Sequence, residues 1–158
     1  ILKNSGKPEL TFYNPGNRDK YLVDKNGTWS ASAANEYMTT ILTEYTEGNK
    51  NMVEMVICNN DGMAEGAITA LNTAGYNRGS GKSIPVFGVD ATEAAVELIR
   101  AGKMTGTIKQ DAEGMAKAIA HLAGNVKEGR DLMDGTEKYT IDDNVSKIRI
   151  HYDIYTGK

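Results

Sequence analysis

Along this chain the apolar positions alternate between short unbroken runs and helical stripes, and one stretch, residues 52–90, shows both most clearly. Residues 52–58 form a mainly apolar run, interrupted by Glu54, and break into Asn59-Asn60-Asp61, which gives way to a helical pattern over 63–74. A second apolar run, 84–89, stops on Asp90. The order predicts strand, helix, strand. In a βαβ unit the right-handed crossover makes the two strands parallel and brings both polar ends to one sheet edge. Ligands of open α/β sheets bind in the crevice outside that edge, so Asn60 and Asp90 are the first candidate contacts.

The same patterning places the remaining elements. Ala34, Tyr37, Met38, Ile41, Leu42 and Tyr45 recur at helical spacing and predict a helix over 32–47, capped by Ser30 or Ser32. Further helices are expected over 92–101 and over 112–127, the latter capped by Asp111 and striped with Met115, Ile119, Leu122 and Val126. Residues 105–109 alternate and read as a strand ending in Gln110. The turn signal Asn14-Pro15-Gly16-Asn17 separates two short expected strands, 10–13 and 21–23, and two more are expected at 139–141 and 147–152. The element order predicts an α/β fold with a doubly wound, mostly parallel sheet.

Composition narrows the function. With 158 residues, 40% hydrophobic and 25% charged, the chain can bury one real core. A net charge of -3, with both signs scattered, offers no basic face for a phosphate backbone, so nucleic acid is not an expected partner. The single cysteine, Cys58, lies in an apolar run and reads as a small buried hydrophobe. No apolar run approaches the roughly 18 residues of a membrane span. The start, Ile1-Leu2-Lys3, reads as a cut through a longer protein.

Several motifs fail on inspection. Gly81-Lys82-Ser83 lacks the upstream glycine of a phosphate loop, since Tyr76 occupies that position, and it follows a helix instead of opening one. Asp24-Lys25-Asn26-Gly27 has the wrong spacing for a calcium loop and reads as a β-turn. His121 and His151 have no metal-ligand spacing and read as surface or interface residues. No nucleophile elbow or catalytic acid pair is found, so the chain is not expected to be an enzyme.

What remains is a constellation at successive strand ends: Trp29 in a polar loop, Asn60, Asp90 and Gln110. A pyranose ring requires this set. Its C–H face stacks on an aromatic ring, while a carboxylate and amides engage neighbouring hydroxyls.

The strings Cys58-Asn59-Asn60-Asp61-Gly62-Met63-Ala64, Ser83-Ile84-Pro85-Val86-Phe87-Gly88-Val89-Asp90-Ala91 and Gly106-Thr107-Ile108-Lys109-Gln110-Asp111 closely resemble the C-terminal half of bacterial periplasmic galactose/glucose-binding proteins, type I periplasmic sugar-binding proteins. The resemblance runs from about Trp29 to Tyr152. It implies that two α/β lobes close over a hexose such as glucose or galactose, delivered to an ABC permease and often to a chemoreceptor. By position it puts the stacking aromatic on Trp29, an amide on Asn60, the bidentate carboxylate on Asp90 and the hinge amide on Gln110, where the family usually has asparagine. It also puts one ligand of a structural calcium site on Glu54, although the calcium loop itself would precede Ile1, so no cofactor is expected here. It implies a lobe over 1–110, truncated at its N-terminus, a segment 111–147 that packs on a missing lobe, and a return strand over 148–158. Without that lobe, the stripe on 112–127 is expected to fold back on the chain's own sheet or to be exchanged in a homodimer. The implied location is the periplasm, or the outer surface of a Gram-positive cell through a lipid anchor. The alternative of another class is the sugar effector-binding half of a repressor with the same fold.

Overall fold

The computed structural model describes residues 5–7, 10–11, 22–142 and 147–157. Among the described residues four helices and six strands follow one another as α1 (Ala31–Glu44), β1 (Val56–Ile57), α2 (Asp61–Thr73), β2 (Val86–Val89), α3 (Glu93–Arg100), β3 (Gly106–Gln110), α4 (Ala112–Lys127), β4 (Thr140–Asp142), β5 (Lys147–Arg149) and β6 (Tyr152–Tyr155). The main sheet has the order β1-β2-β3-β6, with β1, β2 and β3 parallel and β6 antiparallel at the edge. Strands β4 and β5 form a separate antiparallel pair. Among the described residues no helix is long and apolar enough to cross a membrane.

Side chains alternate across a strand, and the two faces of this sheet differ. Val56, Cys58, Val86 and Tyr155 point into a core completed by Met38, Ala64, Ala67, Ile68 and Leu71 of α1 and α2 and by Ala95 and Ile99 of α3. The alternate positions, Ile57, Phe87, Val89, Ile108 and Ile154, stay outside that cluster; Ile57 is 66% and Ile154 79% exposed. The core therefore lies on one face. Helices α1 and α2 touch most closely at Gly66, where a Cβ would collide with the carbonyl oxygen of Ala31. Asn35 Nδ2 donates to the carbonyl of Gly66 at 3.1 Å and fixes the same crossing.

Several expected boundaries move, each for a local reason. α1 stops at Glu44, short of 47, because the side chains of Asn49 and Asn51 both donate to the Glu44 carbonyl and Asn51 Oδ1 accepts from Thr46 N. Only Val56–Ile57 of the 52–58 run joins a ladder: among the described residues β1 has one neighbour, β2, with Val56 N donating to Pro85 O and Cys58 N to Phe87 O at its two ends. The single strand expected over 147–152 is two. Residues 147–149 pair with β4, and the chain then crosses to β3, so the alternation continues while the partner changes. Of the strands expected at 10–13 and 21–23, residues 12, 13 and 21 lie outside the described residues, while residues 10–11 and 22–23 are in no strand.

One of the two outcomes expected for the stripe on 112–127, folding back on the chain's own sheet, is corrected. α4 does not fold back on the sheet; it packs on the turn that follows it. Ala118 and Asn125 are the buried positions. Asn125 Nδ2 donates to the carbonyls of Leu132 and Asp134, which His121 Nε2 also meets at 2.7 Å. Ile119 and Val126 stand 67% and 66% exposed. The buried polar Asn125 claims this face because its amide donates to two turn carbonyls, and a buried amide N–H requires such acceptors.

Two expectations follow for stability. Gly66→Ala should lower the urea midpoint by about 1–3 kcal/mol in free energy, the usual cost of overpacking, since the colliding atom is backbone and cannot rotate away. Ile119→Asp and Val126→Asp should each change unfolding free energy by less than about 0.5 kcal/mol, as exposed substitutions do. A larger loss would mean that this face is covered in solution by a second copy.

Candidate functional site

The three parallel strands place their polar ends side by side. Asn60 lies just beyond β1, Asp90 directly follows β2, and Gln110 is the last residue of β3. Trp29 reaches the same edge through the turn before α1, where Asn60 Nδ2 donates to its carbonyl at 3.2 Å. Gln110 Nε2 donates to Asp90 Oδ1 at 2.6 Å. The structure thus brings all four residues to one edge as two bonded pairs. Trp29 is 56% exposed and Asp90 is exposed.

The chemistry left over is narrower than four free side chains. Asn60 is the N-cap of α2: its Oδ1 accepts from Met63 N at 2.7 Å, and one Nδ2 proton is held by Trp29. Its remaining N–H can still donate to a hydroxyl. Asp90 keeps Oδ2 without a protein partner among the described residues, and Gln110 keeps Oε1 in the same way. The set offers one carboxylate oxygen, one amide oxygen, one amide N–H and one indole face.

The backbone here is strained. Trp29 has φ +53°, Asp90 +121° and Ala91 +56°, a region that costs non-glycine residues of order 1–3 kcal/mol each. Two buried carboxylates hold these conformations, and sequence reasoning identified neither. Asp61, fully buried in the first turn of α2, accepts from Thr92 N at 2.8 Å and from Thr107 Oγ1 at 2.6 Å. Thr107 Oγ1 in turn accepts from Ala91 N at 3.3 Å. The loop carrying Asp90 is therefore tied to α2 and β3 at once. Gly88 makes room for this, because a Cβ there would overlap Asp61 Oδ1. A glycine inside a strand often marks such a close approach; it was the one available sequence signal.

The second carboxylate is Asp24, 7% exposed. The turn expected there exists, closed by Gly27 N to Asp24 O at 2.9 Å. Its carboxylate accepts from Asn26 N, Thr28 Oγ1, Ser30 N and Ser30 Oγ at 2.9–3.0 Å. The backbone N–H groups of Ser30 and Asn26, foremost among these donors, hold its pKa down at about 2. Ser30, by this bond network, is the cap of α1.

Glu54 does not join this edge. It precedes β1, at the amino end of the strands, and lines an open cleft of about 460 Å³ with Glu47, Tyr76 and Lys82. Glu47 is taken by Lys82 and by Tyr76 Oη, whose bonds hold its pKa below the usual carboxylate range. Calcium asks for six to eight oxygens, and a cleft lined by an ammonium with one unpaired acid does not fit it. Among the described residues no group of three or more metal-ligating side chains gathers anywhere. Cys58 packs against the core, and burial pushes its thiol up to about 11, so it stays protonated. His151 is exposed, with Asp153 at 3.5 Å.

With this geometry in view, the sequence profile of the periplasmic binding protein domain matches residues 8–131. The chain belongs to the periplasmic binding protein domain family. It is 34% identical over 133 residues to the D-galactose/methyl-galactoside binding periplasmic protein MglB of Haemophilus influenzae, covering 84% of this chain and 37% of that protein. Among solved structures, an ABC transporter periplasmic solute binding protein of Actinobacillus succinogenes with bound D-allose superposes with TM-score 0.61 at 28% identity, covering 82% of this chain and 38% of the other. An ABC transporter solute binding protein of Bacillus halodurans with bound myo-inositol superposes with TM-score 0.59 at 29% identity, covering 82% and 37%. This periplasmic binding protein chain thus has the type I fold of the family, an α/β architecture with a mostly parallel sheet. It spans little more than a third of the length of these relatives.

The Asp24 hub sets a pH dependence. Its folded-state pKa lies below the ordinary aspartate value of 3.8, so its stabilising contribution is complete above that value and is lost as the pH falls toward about 2. Urea unfolding from about pH 5 to pH 2 should show stability falling through this window, and Asp24→Asn should flatten that fall.

Proposed function

We propose that this chain forms one lobe's share of the binding site of a sugar-binding protein that serves an ABC uptake system, and that it binds rather than transforms its ligand. The observation that carries the reading is the shared strand edge: Trp29, Asn60, Asp90 and Gln110 meet there as an indole face, amides and a carboxylate. A hexose ring stacks its C–H face on Trp29, its hydroxyls donate to Asp90 Oδ2 and Gln110 Oε1, and Asn60 donates to a ring hydroxyl. Glucose or galactose is the proposed ligand. Support comes from relatives whose names mention D-galactose, D-allose and myo-inositol, all six-membered polyhydroxyl rings. An ABC permease and a chemoreceptor are the proposed partners, and the periplasm is the proposed location, in keeping with the periplasmic relatives.

The chemistry present sets the affinity. A bond from a sugar hydroxyl to an open carboxylate yields roughly 1 kcal/mol net, and about 3 when sheltered from water. One stacking face and three such bonds must also overcome the lost freedom of the sugar. Titration of this chain with glucose or galactose, followed by Trp29 emission, should give a millimolar or weaker Kd, which corresponds to about 4 kcal/mol. Asp90→Ala should abolish the signal. Micromolar binding by the chain alone would overturn the half-site account and require that something else encloses the sugar.

A further inference from the structure

We infer that Asp24 is a positioning residue for Trp29, one that orients the indole platform without touching the ligand; the inference rests on the reading of Trp29 as the stacking face. Trp29 is more than half exposed and sits at φ +53°. An exposed side chain on a left-handed residue does not hold itself there. The two residues that flank it do. Thr28 Oγ1 donates to Asp24 Oδ2 at 3.0 Å, and Ser30 N and Oγ donate to the same oxygen at 2.9 Å each. Asn26 N donates to Oδ1 at 2.9 Å. On the other side, the Trp29 carbonyl is held by Asn60 Nδ2.

Helix capping alone does not explain this arrangement. Ser30 caps α1 through its own Oγ, which accepts from Ala33 N at 3.2 Å. The bonds from Thr28 and from Ser30 N to Asp24 add nothing to the cap; they bracket the residue between them. Donors meet both carboxylate oxygens, three at Oδ2 and Asn26 N at Oδ1, so an amide, whose nitrogen is itself a donor, cannot satisfy the set. The arrangement fixes the backbone of Trp29 before any sugar arrives, so less freedom remains to be lost on stacking.

Trp29 is the only tryptophan, so its emission and nanosecond anisotropy report this position alone. The full chain, Asp24→Asn and Thr28→Val are compared without sugar and with glucose or galactose. Thr28→Val removes one bond to Oδ2 and leaves the Ser30 cap, so it decides the question if Asp24→Asn loses helix content by far-UV circular dichroism. Both variants should keep that content where folded, raise the amplitude of fast Trp29 motion by about twofold, and weaken sugar binding by about threefold to tenfold. Unchanged Trp29 anisotropy in the folded variants, even with a lowered melting temperature, overturns the positioning role. Failure of the unaltered chain to bind either hexose instead overturns the sugar reading, while the ligand-free anisotropy still decides the role of Asp24.

Discussion

The carboxylate of Asp61 is the contact on which the candidate edge depends. It sits fully buried at the first turn of α2 and accepts from Thr92 N, which opens α3, and from Thr107 Oγ1 in the middle of β3. One side chain thus joins the ends of three successive units. A buried carboxylate is tolerated only when its oxygens are met by donors; here the donors come from the elements whose spacing defines the crevice. Its place at a helix N-terminus adds a favourable dipole. Because Thr107 also takes Ala91 N, the loop after β2 is bonded on both sides of its left-handed turn, and Asp90 is presented at φ +121° to Gln110.

The second hub repeats this logic. Asp24 gathers backbone and hydroxyl donors around Trp29, and Asn60 joins the two hubs, since it caps α2 next to Asp61 while holding the Trp29 carbonyl. Strain concentrates at Trp29, Asp90 and Ala91. Such conformations persist only where surrounding bonds over-determine them. The backbone of Trp29 and the loop carrying Asp90 are therefore each held by the bonds of a neighbouring buried acid.

Helical periodicity made α1 to α4 legible in the sequence, because each carries a continuous stripe, and the apolar runs ending in Asn60, Asp90 and Gln110 made the sheet edge legible. The hubs were not. An aspartate in a first helical turn reads as an ordinary exposed acid, and only the docking of β2 and β3 reveals that Asp61 is enclosed. The break between β5 and β6 was hidden for the opposite reason: Ile148, Ile150 and Tyr152 alternate without interruption, while the partner strand changes from β4 to β3. On α4 the apolar stripe divides: Met115 and Leu122 are half-buried on the face of Ala118 and Asn125, whose amide meets two turn carbonyls, while Ile119 and Val126 stay exposed. Periodicity tells which face prefers burial; it does not tell which unsatisfied polar groups will compete for the helix.

Parallel strands are ordinarily covered on both faces, yet the described residues build their core on one. Ile57 and Ile154 are largely exposed on the other, with Phe87, Val89 and Ile108 half-buried between them. Hydrophobic burial is non-directional, so it could hold the strands together without fixing the loops beyond them. Those loops are fixed instead by hydrogen bonds that lie on the covered side and at the edge: Asp61 to Thr92 and Thr107, Asp24 to Thr28 and Ser30, Asn60 to Trp29. None of these runs through the uncovered face. The geometry of the edge is therefore a property of the strand ends themselves, and whatever covers the second face would add stability to the sheet without having to rebuild the edge.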